Sequence, residues 1–155
     1  MARMVPFPML PTTSTAERRL VSVLFADLVA FTSYSEGRDP ELVRETLTRY
    51  FEAAREVIER HGGVVEKFIG DAVMAVWGTP VTHEDDAERA VRAALELTDA
   101  VASLGEEVGT SDLRARAGVL TGEAAVVPDA SNQGMVAGDM VNTASRIQSV
   151  ASSGA

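Results

Sequence analysis

Five polar residues interrupt an otherwise apolar pattern at places where their chemistry would count. Asp27 closes the run LVSVLFADL (20–28), and Lys67 and Asp71 flank a glycine turn in VEKFIGDAVMAVWG (65–78). Asn142 and Arg146 stand four residues apart, so they share one face of any helix that contains them. Each has a plain structural reading. Aspartate is common in turns, an aspartate at a strand end can cap locally, and a lysine can snorkel from an edge strand. A polar i, i+4 pair usually faces water. Yet an unpaired ammonium inside a strand is costly if its face is buried. The five residues also occur together in one order along the chain.

The elements that must position them follow from periodicity and punctuation. The run 20–28, apolar and rich in β-branched residues, predicts a buried strand ending at Asp27. Asp39 and Pro40 supply the N-cap and first position of a helix. Its apolar stripe is Val43, Leu47, Tyr50, Phe51, Ala54, Val57 and Ile58, and His61-Gly62-Gly63 ends it. VVEKF and AVMAVW form a hairpin with Ile69-Gly70-Asp71 at its tip. Thr82 is the predicted cap of a second long helix, with Glu84, Asp85 and Asp86 favourably placed for its dipole. Its predicted stripe is Ala87, Ala90, Val91, Ala94, Val101 and Leu104, ending near Gly105. Residues 113–122 read as a strand that EAAVV extends or follows with a partner; SNQGM is a loop, and a last helix starts near Asp139.

The order is β-α-β-β-α-β with additions, an α+β, ferredoxin-like arrangement. In that topology the third strand lies antiparallel between the first and second. Asp27, ending the first, therefore comes close to Asp71, beginning the third. Two carboxylates at close range repel unless a cation lies between them. A Mg²⁺ ion held by one or two carboxylates plus substrate phosphates is the usual remedy.

Composition narrows the classes. A length of 155 residues suits one domain, and 46% hydrophobic with 24% charged residues is ordinary for a globular chain. No apolar run approaches the roughly 18 residues of a membrane span. Residues 1–16, proline-rich at the start, read as a disordered lead-in rather than a signal peptide. The absence of cysteine excludes disulfides, thiolate metal sites and a cysteine nucleophile. A net charge of −9 argues against a nucleic-acid partner, but not against a nucleotide accompanied by divalent cations. The expected compartment is the cytoplasm. His61 and His83 are too far apart in sequence to suggest a metal site. The run HEDD fits a helix dipole, and Trp77 and the methionines suit core or dimer contacts.

Three segments, LFADLVAFTSYSE, VEKFIGDAVMAVWG and GMVAGDMVNTASR, resemble the signature segments of class III adenylate/guanylate cyclase catalytic domains. The resemblance runs from about Glu17 to the C-terminus and implies roles residue by residue. Asp27 and Asp71, with the backbone carbonyl of Leu28, would hold two divalent ions, Mg²⁺ or Mn²⁺. Backbone N–H groups of Val29, Ala30, Phe31 and Thr32 would receive the β- and γ-phosphates. Lys67 would read the purine, with Met135 at the second base-reading position. Asn142 would orient the ribose, and Arg146 would neutralise charge on the α-phosphorus.

The implied reaction converts ATP to 3′,5′-cyclic AMP and pyrophosphate. The implied assembly is a head-to-tail homodimer whose sites each take Asp27 and Asp71 from one chain and Lys67, Asn142 and Arg146 from the other. A donor-only lysine suits the adenine N1 acceptor and mismatches the guanine N1–H. Three departures stand beside the match. Met135 replaces a usual aspartate or threonine, Ala30 replaces a usual glycine, and the family's domain continues past Ala155 with further strands and a phosphate-contacting lysine. A fragment of a longer gene product is therefore expected. The rival reading is a cyclase-homology module that binds nucleotide or only dimerises. A diguanylate cyclase would need paired glycines and a following acid, which FIGDAV lacks.

Overall fold

The computed structural model describes residues 17–110, 112–127, 135–137, 139–151 and 154. The lead-in expected over 1–16 and most of the SNQGM loop lie outside them. The order is β1 (Glu17–Val29), α1 (Phe31–Ser35), α2 (Pro40–Arg60), β2 (Val64–Ile69), β3 (Ala72–Trp77), α3 (Asp86–Glu107), β4 (Arg114–Val127), β5 (Met135–Ala137) and α4 (Asp139–Val150). The sheet runs β2-β3-β1-β4-β5, with every neighbouring pair antiparallel. The expected α+β, ferredoxin-like core is present, with β3 between β1 and β2. Segment 113–122 and EAAVV make one continuous strand, β4.

The pleat of β1 divides the molecule into two layers. Leu24, Ala26 and Leu28 enter a core built with α2 and α3, which includes Tyr50, Ala54, Ile58, Ala90, Leu97 and Val101. Val21, Val23 and Phe25 point the other way and pack with Met74, Val76, Ala124 and Val126. Helix α4 packs on β4 and β1.

Helix α2 begins as its sequence demands. Asp39 accepts a hydrogen bond from the Glu41 N–H at 2.9 Å, and Pro40 is the first helical residue. It ends at His61, followed by Gly62 in the left-handed region at φ 86°. Gly63 then passes close under Trp77, where a Cβ would sit 2.6 Å from the indole. The indole N–H donates to the His61 carbonyl at 2.9 Å, so the end of α2 is fastened to β3.

Helix α3 starts later than expected. Thr82 does not cap it; its hydroxyl bridges the Leu20 and Gly78 carbonyls at 3.3 Å each, and Asp85 occupies the N-cap position. The Asp86 carboxylate instead accepts from the His83 N–H at 2.8 Å. The buried stripe is Ala90, Ala93, Leu97, Val101 and Leu104, which leaves Val91 47% exposed. Position 91 lies about 100° around the helix from 90, off that stripe. Among the described residues no helix is long and apolar enough to cross a membrane.

Candidate active site

Strand β1 delivers Asp27 to the face of the sheet away from α2 and α3, in phase with Val21, Val23 and Phe25. Directly opposite on β4 stands Arg116. Its Nε donates to Asp27 Oδ1 at 3.0 Å, its Nη2 to Oδ2 at 3.4 Å, and its Nη1 to the Ser149 carbonyl of α4 at 3.0 Å.

The β2–β3 turn brings up the second carboxylate. The last register pair of β1 with β3 is Ala26 with Val73, so Asp27 and Asp71 follow and precede neighbouring partners. Asp71 lies in the turn just before β3 rather than within the strand, and its Oδ2 accepts from the Leu28 N–H at 3.3 Å. Burial first, and the charge of Asp27 second, raise the Asp71 pKa; hydrogen bonds from backbone N–H groups and the Arg116 charge oppose the rise. At Asp71 the Arg116 charge therefore offsets only part of the combined effect of burial and Asp27. Tyr50 is fully buried in the α2/α3 core, and its hydroxyl has no hydrogen-bond partner among the described residues. Burial, then Asp71 and Asp27, hold that phenol far above its ordinary pKa.

Two carboxylates brought to one end of β1, where burial disfavours the charge of Asp71, fit a divalent cation. No group of three or more potential ligands occurs among the described residues. The donor set thus fits an ion whose shell is completed by substrate oxygens, not one caged by protein alone.

After Val29 ends β1, Ala30 turns the chain in the left-handed region at φ 63° and ψ 21° and becomes the N-cap of α1. Phe31 and Thr32 are the first residues of that short helix, and no side-chain cap bonds to its first turn. Ala30 thus holds a backbone conformation that favours glycine. Tyr34 anchors α1, its hydroxyl 2.7 Å from that of Thr46 on α2.

Residues 14–155 match the family described as the adenylate and guanylate cyclase catalytic domain. The chain belongs to this family. It is 38% identical over 139 residues to "Adenylate cyclase 1" of Rhizobium meliloti (strain 1021), covering 86% of this chain and 21% of that one. The adenylyl cyclase CyaB from P. aeruginosa superposes with a TM-score of 0.82 at 29% identity, covering 90% of this chain and 76% of that structure. The guanylyl cyclase Cya2 gives 0.80 at 34% identity, covering 90% and 74%. The chain thus spans about a fifth of the length of its Rhizobium relative.

In this cyclase domain the orientation of Lys67 has a specific cause. Val65 pairs with Ala75 and enters the α2/α3 core, and strict alternation would send residue 67 the same way. A register shift between Val65 and Lys67 pairs Lys67 with Met74 instead. Cross-strand partners share a face, so the bulge turns Lys67 to the face that carries Asp27. Re-aiming a side chain is a common use of such a bulge. Lys67 is exposed there.

The remaining expected site residues of the cyclase domain lie on β5 and α4. Met135 opens β5 opposite Val127, and Asn142 lies in the second turn of α4; both side chains lie outside the described ones. Arg146 is exposed on α4, with its Nη2 3.5 Å from the Thr143 hydroxyl. Within one chain the fold gathers Asp27, Leu28, Asp71 and the turn 29–32. Sequence reasoning missed Arg116 and the buried Tyr50 hydroxyl. An arginine alternating with alanine in LRARAG was the available signal for the first.

Proposed function

We propose that this domain converts ATP to 3′,5′-cyclic AMP and pyrophosphate, as a head-to-tail homodimer with two shared sites. The observation that carries the reading is the placement of Asp27 and Asp71 at one end of β1, with Lys67 turned by a bulge onto the face of Asp27. The name of the Rhizobium relative supports adenine as the base, while the guanylyl cyclase Cya2 shares the fold.

Asp27 and Asp71, with the Leu28 carbonyl, would hold two divalent ions. When bound, Mg²⁺ or Mn²⁺ supplies Lewis acidity toward the ribose 3′-hydroxyl and countercharge for the triphosphate. The backbone from Val29 to Thr32 would direct N–H groups at the β- and γ-phosphates. From the other protomer, Lys67 would donate to adenine N1, which accepts, whereas guanine N1–H does not. Asn142 would hold the ribose so that its 3′-oxygen lies in line with the α-phosphorus. Arg146 would place a permanent positive charge where negative charge grows as pyrophosphate leaves. Two-fold symmetry makes the second site equivalent to the first.

A second reading, a module that binds nucleotide or dimerises without turnover, is favoured by the pairing of Asp27 with Arg116. Incubating the intact protein with ATP or GTP and Mn²⁺, and identifying products by mass, decides between them. Cyclic AMP is expected. Nucleotide binding and dimerisation without any cyclic product would support the module.

A further inference from the structure

The ion pair between Arg116 and Asp27 is more than a fastening of two strands. β1 and β4 are already joined by thirteen paired positions, from Glu17 with Val126 to Val29 with Arg114. The guanidinium is 31% exposed and the carboxylate 19% exposed, so the pair is partly shielded from water. It is bidentate, one N–H to each carboxylate oxygen. Its third arm reaches the Ser149 carbonyl, one of the last four of α4, which have no partner within their own helix. One rigid, planar group therefore joins a candidate metal ligand to the helix that carries Asn142 and Arg146.

A carboxylate has about four lone-pair positions, and the guanidinium fork takes one on each oxygen. A divalent ion on Asp27 would share that carboxylate with a cation already in contact with it. At such distances like charges repel strongly even with ample screening. The contact that can open is the fork on Asp27, because the Ser149 carbonyl carries no charge to be neutralised.

We propose that Arg116 is the resident countercharge of Asp27, that a divalent ion displaces it, and that its hold on Ser149 conveys the displacement to α4. Metal loading and the setting of the helix bearing Asn142 and Arg146 then become one coupled event. The proposal rests on the reading of Asp27 as a metal ligand. It makes Arg116 a positioning residue, acting through Asp27 and α4.

The test is Mn²⁺ binding to the intact protein without nucleotide, followed by the paramagnetic signal of free Mn²⁺. Hydrogen exchange along α4 is measured in the same samples. Asp27→Asn should weaken Mn²⁺ binding; if it binds as wild type does, the metal assignment itself fails, and if wild type holds no Mn²⁺ without nucleotide, an ion alone does not displace Arg116 and the proposal falls. Given that assignment, Arg116→Gln should bind Mn²⁺ roughly tenfold tighter, since a competing charge is gone. In wild type, Mn²⁺ should alter exchange in the last turn of α4, and in Arg116→Gln it should not. Equal or weaker Mn²⁺ binding in Arg116→Gln, or an α4 response retained in that variant, overturns the proposal. Should Arg116→Gln fail to fold, Arg116→Lys decides: it keeps the charge but cannot span both partners. An α4 response like that of wild type in Arg116→Lys would likewise overturn the coupling.

Discussion

The backbone N–H of Leu28 donates to the Asp71 carboxylate at 3.3 Å, across 43 positions of sequence. This bond fixes the tip of the β2–β3 hairpin to the end of β1, so two potential metal ligands are held by backbone as well as by side chains. It also favours the charged form of Asp71, but burial and the Asp27 charge outweigh it and the pKa is raised from 3.8.

The sign of the resulting pH dependence follows from linkage. A carboxyl that binds its proton more tightly when folded gives a folded state that gains stability as pH falls. The ionised group is a fixed penalty above the folded pKa. That penalty is relieved as pH falls through the folded pKa and is gone below 3.8. In metal-free solution Asp71→Asn should therefore be more stable than wild type at neutral pH, and the difference should vanish toward the ordinary aspartate value. Denaturant titrations in chelator across that range provide the check. The same variant should lose at least about a hundredfold in cyclase activity, beyond the 10–100-fold typical of outer-shell changes at metal sites. Near-normal turnover would refute the role of Asp71.

Ala30 holds a left-handed backbone at φ 63° that disfavours a side chain. That conformation costs an L-residue roughly 1–2 kcal/mol, and part of the relief is offset by the greater unfolded freedom of glycine. Ala30→Gly should stabilise the domain by about 0.5–1 kcal/mol, raising Tm by about 1–4 °C. Thermal unfolding measures this directly, and a lowered Tm would show that the methyl makes compensating contacts.

Base selectivity should be incomplete. Lys67 can donate to adenine N1, but the thioether of Met135 is a weak acceptor for the adenine amino group. Pockets that merely tolerate a group discriminate by about 10–200-fold, whereas those that hydrogen-bond it reach about 10⁴ or more. Competition between ATP and GTP should fall in the lower range, and Met135→Thr should raise it. A wild-type preference in the upper range would mean that other groups read the amino edge.

Sharing of the site between protomers has its own signature. Asp27→Ala and Arg146→Ala should each be nearly inactive as homodimers. Mixed, they form heterodimers in which one site carries both lesions and the other carries none. Activity should return to at most half that of wild type per dimer and should vary with total protein concentration. A mixture that exchanges subunits yet stays inactive would place both residues in a site within one chain.

Much of the scaffold was legible because its signals are local. Asp39-Pro40 caps a helix within three residues, and the glycine at the hairpin tip is bracketed by the strands it joins. What escaped depends on partners far along the chain. The Thr82 hydroxyl bonds Leu20 across 62 positions and so is lost to the helix beside it. The partnership of Arg116 with Asp27 spans 89 positions and exists only once the β1–β4 register is set. The face taken by Lys67 depends on a register shift that no local periodicity announces. The candidate ligands could be named from their types, whereas the groups that restrain them could not.

The alternating pleat of β1 also limits how this lineage can change length. From Val21 to Leu28 the apolar side chains are committed in alternation to one or the other of the two layers. Gaining or losing one residue there would swing Asp27 into the hydrocarbon packed under α2 and α3, and would drive Leu24 and Ala26 out of it. A two-residue change would preserve the facing. Insertions and deletions among descendants should therefore gather in the connections, or occur in β1 by even steps. The bulge in β2 is a place where an odd residue has already been absorbed, and Lys67 faces as it does as a result.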